Sequence, residues 1–225
     1  MRSTISSALR LMLMLNVPAT AGLMALASPI VALLFQHGRF TAADTGATAA
    51  ALQYYAIGLV GYSAVKLAVP SFYALHDSRT PVIVSGLTVA VNVALNITLV
   101  RVLGYRGLAL STAVAALLNA GVLLWLLGRR LDGLNAVRVL TAFVKISIAS
   151  GVMAAGAWEV ERWMHTLLPG HGFSVAAVRV ASSIGAAMLL LAAAARLLQI
   201  AEFNDALEVV ARRFRSPQDR TGAAP

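Results

Sequence analysis

Six long apolar stretches alternate with short polar connections along this chain. The stretches are roughly 11–35, 49–75, 82–103, 107–127, 139–158 and 175–198. Each is close to or above the roughly 20 residues a helix needs to cross the hydrocarbon core of a bilayer. The period-two alternation of a β-barrel is absent, and open strand edges are excluded in hydrocarbon. The pattern therefore predicts an all-α fold, a polytopic membrane helix bundle of about six transmembrane helices filling residues 1–200. The connections 36–48, 76–81, 104–106, 128–138 and 159–174 are short and carry the turn and charge signals. Their shortness makes successive helices antiparallel neighbours. The first stretch, at 25 residues, exceeds the roughly 7–15 of a signal-peptide core and reads as a span. After residue 200 the pattern changes. Phe203, Leu207, Val210 and Phe214 share one helical face, which predicts a short amphipathic helix on the cytoplasmic surface. Residues 216–225 are expected to be a disordered tail.

Composition narrows the class. Hydrophobic residues make up 59% and charged residues 12%, against roughly 25% charge in an ordinary soluble domain. The net charge of +9 sits between the apolar runs and in the tail, not in a basic stripe interleaved with aromatics, so it excludes nucleic acid as a partner and suits lipid head groups. Six spans put both termini on one side. That side carries twelve Lys and Arg and the other five, with Lys66 left out because it lies within a span. The imbalance places both termini in the cytoplasm. With no cysteine, disulfides and thiolate metal sites are impossible, and the four scattered histidines lack helical ligand spacing. No metal or other cofactor is expected. All nine acids lie in connections or in the tail, away from any nucleophile, and no Walker-type glycine loop is present. The chain is not expected to be an enzyme.

Several intramembrane residues remain as candidates for function. Pro18 and Pro29 in the first span and Pro70 in the second read either as hinges or as the prolines that membrane helices ordinarily tolerate. Lys66 costs about 2.5–3.5 kcal/mol at the bilayer centre on insertion scales, so it either faces a water-filled cavity or snorkels to the interface. Gln53, Tyr54, Tyr62 and Ser63 lie on its helix and are candidates to line the same cavity. Asn92 and Asn96, four residues apart, form a polar stripe with Ser85 and Thr88. Such a stripe bonds across to a neighbouring helix or lines an aqueous path. The small residues of the fourth and sixth spans, among them Gly107, Ser111, Ala115, Ala116, Ser183 and Ala187, read as close-packing faces.

In order along the chain come Pro29-Ile30-Val31-Ala32-Leu33-Leu34-Phe35-Gln36-His37-Gly38-Arg39-Phe40, then Tyr55-Ala56-Ile57-Gly58-Leu59, then Phe72-Tyr73-Ala74-Leu75-His76-Asp77-Ser78-Arg79-Thr80-Pro81. Asn92, Asn96 and Gly107-Leu108-Ala109-Leu110-Ser111-Thr112 follow at matching spacing. Together these segments, over roughly residues 5–130, resemble the MurJ/MviN lipid II flippases. The resemblance implies a fold of two pseudo-symmetric six-helix bundles with two added C-terminal helices, of which this chain matches spans nine to fourteen. It implies export of an undecaprenyl-pyrophosphate-linked oligosaccharide across the bacterial inner membrane during cell-wall synthesis. It also implies that spans five and six here correspond to the pair associated with a groove for the polyprenyl tail. The family's cavity arginines fall mainly in the first eight spans, which have no counterpart in this sequence. Lys66 and the Asn92 face are then the residues expected on the C-terminal wall of the cavity. The expected partners are the lipid-linked precursor, membrane lipids and a separately encoded N-terminal half, the chain being read as a truncated product or half of a split gene. The alternatives are another polysaccharide-lipid exporter of the same superfamily and a non-transporting, vestigial membrane fragment.

Overall fold

A computed structural model describes residues 2–131, 136–170, 172–200 and 203. Among them the chain forms seven helices and no strand: α1 (Arg2–Ala25), α2 (Ala27–Phe35), α3 (Ala42–Ala74), α4 (Arg79–Leu103), α5 (Tyr105–Arg130), α6 (Ala136–Leu167) and α7 (Phe173–Leu197). All but the nine-residue α2 are long and apolar enough to cross a membrane. The amphipathic helix expected over 202–215 and the tail beyond it lie outside the described residues, apart from Phe203.

The helices outrun their apolar stretches because helical hydrogen bonds are satisfied within the segment, whatever its side chains. The stretch expected to be one span over 11–35 starts its helix at residue 2 and breaks at Leu26. Pro29 accounts for the break. It has no N–H to offer the Ala25 carbonyl, and its ring clashes with that turn. Helical bonding resumes around it, with Leu26 donating to the Gly22 carbonyl and Ile30 to the Leu26 carbonyl. Pro18 and Pro70 lie within continuous helices.

Side chains close the starts of two helices, α3 and α4. Thr41 and Asp44 form a capping box at the start of α3: the Asp44 N–H donates to Thr41 Oγ1 at 3.3 Å and the Thr41 N–H to Asp44 Oδ2 at 2.9 Å. The Asp77 carboxylate accepts from the Thr80 N–H at 3.0 Å and its hydroxyl at 2.7 Å, ordering the first turn of α4. Gly104, at φ 58°, is the sole link between α4 and α5. A left-handed residue there turns the chain back in one step.

The most extensive packing joins α3 to α5, and small residues permit it. A methyl built on Gly61 would stand 2.7 Å from the Ala116 carbonyl carbon, and one on Gly58 3.0 Å from Ala113 Cα. Lipid solvates apolar side chains as well as a neighbouring helix does, so this close backbone approach is what holds such a pair together. α1 leans on α3 and α6, α6 on α7, and α4 almost wholly on α5. One apolar core joins α1, α6 and α7 around Met14, Ile146, Met153 and Leu191. A second joins α1, α3 and α5 around Leu9, Phe72, Leu123 and Leu127.

Candidate functional site

Most of the outer surface is aliphatic. α4 presents Val82, Ile83, Leu87, Val89, Val93 and Ile97 outward, as a lipid-facing helix does. α3 is different. Between its contacts with α1 and α5 it leaves a strip carrying Tyr55, Tyr62, Lys66 and Tyr73, all exposed. Spacings of 7, 11 and 18 residues bring these four within about 20° of one line at 3.6 residues per turn. Neither the Lys66 ammonium nor the three phenol hydroxyls have a hydrogen-bond partner among the described residues. The strip runs from the end of α3 inward for about 27 Å, at about 1.5 Å per residue.

The other sequence candidates divide. Tyr62 shares the strip with Lys66. Gln53 does not. It lies about 140° round the helix from Lys66, and its Nε2 donates to the Met24 carbonyl at 2.9 Å. It serves the broken turn between α1 and α2. Ser63 faces α1, donating to Asn16 Oδ1 at 2.8 Å, while Asn16 Nδ2 donates to the Met12 carbonyl. Asn92 and Asn96 lie between α4 and α5. Asn96 Nδ2 donates to Asn92 Oδ1 at 3.3 Å, and Asn96 Oδ1 accepts a short bond from the Ser111 hydroxyl. The asparagine pair thus bonds across to α5 and is not brought together with Lys66. Tyr55 and Tyr73 escaped the sequence reading. Their 18-residue separation, with Tyr62 and Lys66 in between, was the available sign.

A second feature lies on the opposite side of α3. α6 makes no contact with α5, and the space between α6 and the α1/α3/α5 group is a groove of about 1010 Å³. Val60, Ala64, Leu117, Leu124, Leu140 and Phe143 line it, so it is nearly all apolar. At its mouth the Arg129 guanidinium covers the Trp125 ring, 4.1 Å from its centroid. Nearby, Arg130 reaches Asp77 at 2.8 Å and braces the α3–α4 connection against the end of α5. The Asp77 carboxyl is held below its ordinary range, chiefly by the Thr80 hydrogen bonds and further by the Arg130 charge.

The motif order, the six spans and this arrangement all bear on ancestry, and one comparison decides it. A family profile described as "Lipid II flippase MurJ" matches residues 1–178. The chain belongs to the lipid II flippase MurJ family. The probable lipid II flippase MurJ of Rhizobium meliloti (strain 1021) is 35% identical over 179 residues, which is 79% of this chain and 34% of that protein. That of Vibrio cholerae serotype O1 is 32% identical over 161 residues, 70% of this chain and 30% of the relative. The lipid II flippase MurJ of Burkholderia cenocepacia is 39% identical over 126 residues, 56% of this chain and 24% of the relative. The chain thus spans about a third of the length of the first of these relatives. MurJ membership and the six apolar helices make this a multi-pass membrane protein, from a family of transporters rather than catalysts.

Proposed function

We propose that this chain forms the C-terminal wall of a lipid II flippase that works by alternating access in the bacterial inner membrane, with both termini cytoplasmic. The exposed α3 strip carries the proposal. One lysine and three tyrosines are costly against lipid and well suited to a polar cavity. Lys66 offers a cation to the pyrophosphate of an undecaprenyl-linked precursor, and Tyr55, Tyr62 and Tyr73 offer flat faces and hydroxyls to its sugars. The groove between α6 and the α1/α3/α5 group takes part of the polyprenyl tail, keeping it in an apolar path while the head group crosses.

Six helices with one such lysine do not neutralise a pyrophosphate. Moving that group through hydrocarbon needs several positive partners. The N-terminal eight spans of the family fold supply the opposing wall, whether encoded with this chain or apart from it. Complementation tests this reading. In a flippase-depleted bacterium, the 225-residue chain together with an N-terminal eight-span partner restores growth, and the chain alone does not. Failure of the pair, with both parts found in the membrane, overturns the flippase reading. Rescue by the chain alone overturns its dependence on a partner.

A further inference from the structure

At the end of the bundle away from the α3–α4 connection, α2, the start of α3, the end of α6 and the start of α7 enclose a pocket of about 610 Å³, within the usual range for small-ligand sites. Unlike the apolar groove it is built around an ion pair. Arg179 Nη2 of α7 meets Glu161 Oε1 of α6 at 2.6 Å, with the two side chains only 13% and 17% exposed. The pair is engaged by one edge alone. Arg179 Nε is buried with no hydrogen-bond partner, and Glu161 Oε2 has none among the described residues. Arg179 Nη1 likewise makes no hydrogen bond among the described residues, and unlike Nε neither it nor Glu161 Oε2 is enclosed, so both can meet a ligand in the pocket. Trp158 and Phe173 line its walls, with His37 against Phe173 at 6.3 Å between ring centroids.

We propose that this pocket binds a zwitterion that carries an oxyanion and a primary ammonium a few ångströms apart, in the form of an ethanolamine phosphate head group. The charge balance selects it. Arg179 and Glu161 cancel, and no other lysine, arginine, aspartate or glutamate among the described residues lines the pocket. A net anion finds no surplus positive charge there, and a net cation no surplus negative charge. A phosphate oxygen takes an N–H of Arg179 Nη1, and the ammonium donates to Glu161 Oε2. The position selects the source. α6 has 32 residues, about 48 Å of helix, against a hydrocarbon core of about 30 Å. Glu161 lies about 9 Å from its end, at the hydrocarbon boundary, and the exposed Trp158 and Trp163 mark the same level. A head group stands at that depth. The inference holds for either orientation of the chain and does not depend on flipping.

The test uses the full chain, purified in detergent, with thermal stability and lipid retention in native mass spectrometry as readouts. Phosphatidylethanolamine is compared with phosphatidylcholine, phosphatidylglycerol and diacylglycerol. The ethanolamine lipid should be retained about tenfold better than the choline lipid, whose quaternary nitrogen cannot donate to Glu161, an effect the size of one charge-assisted hydrogen bond. It should likewise exceed the glycerol lipid. Soluble phosphoethanolamine separates the sources. Stabilisation by it at millimolar concentration assigns a water-borne zwitterion, and stabilisation by the lipid alone assigns the leaflet. Glu161→Gln should reverse the preference towards phosphatidylglycerol. The wild-type lipid series needs no variant, so a misfolded Glu161→Gln chain leaves the test intact. Equal retention of all four lipids by the wild type, or unchanged selectivity in folded Glu161→Gln, overturns the proposal.

Discussion

At the scale of single residues, Lys66 and Gly61 illustrate two kinds of intolerance. Lys66 has no partner among the described residues, so its removal should leave folding alone. Lys66→Ala is expected to insert normally but to lower precursor flipping about tenfold or more, the loss of one charge-assisted contact, while Lys66→Arg keeps most activity. A fluorescent-lipid flipping assay on the chain reconstituted with its N-terminal partner checks this, and unchanged flipping would remove Lys66 from the path. Gly61→Ala acts through structure instead. Its new methyl meets the Ala116 carbonyl at 2.7–2.8 Å, and backbone cannot rotate aside as a side chain can. The variant should lose about 1–3 kcal/mol of stability, read from unfolding in detergent. Residue type alone made Lys66 conspicuous, since a charge in an apolar run is rare. It misled over Gln53, whose side chain donates to the Met24 carbonyl beside the broken turn at Leu26, because residue type does not tell which of the three prolines breaks its helix.

The elements were more legible than their ends. Six apolar runs translate into six long helices because a bilayer leaves the backbone no alternative to internal hydrogen bonding. The same physics hid their limits: α1 begins well before Leu11, and α6 continues past Trp158 through Glu159, Glu161 and Arg162. Among three prolines only Pro29 coincides with a break, and nothing local distinguishes it from Pro18 and Pro70. The Asp77 cap is the element-scale feature most open to test. Its carboxyl titrates below the ordinary 3.8 in the folded protein. A lowered folded pKa means that its contribution is complete above the unfolded value and is lost as pH falls through the folded one. The first turn of α4 should therefore open below about pH 3.8, seen as faster hydrogen exchange near Thr80. Asp77→Asn should show that faster exchange already at neutral pH and little further change on acidification. An identical pH profile in the variant would show that another group governs this end.

At the scale of the whole molecule, orientation is the feature on which the transport reading turns. The chain has no cysteine, so single cysteines report sidedness directly. A cysteine at Ser78 should react with a membrane-impermeant maleimide only after the cytoplasmic face is opened, and one at Thr41 from outside intact cells. The opposite pattern would invert the bundle and place the Lys66 end of α3 towards the exterior. The bundle also bears on how the chain is made. α4 rests almost wholly on one neighbour, the helix that follows it after a single residue, and its Asn92–Asn96 pair finds Ser111 there. Alone in lipid, those amides would be partly unsatisfied. α4 and α5 are thus suited to leave the translocation channel together, as a hairpin already folded at Gly104, and the nascent chain completes the core shared by α1, α3 and α5 only when α5 arrives.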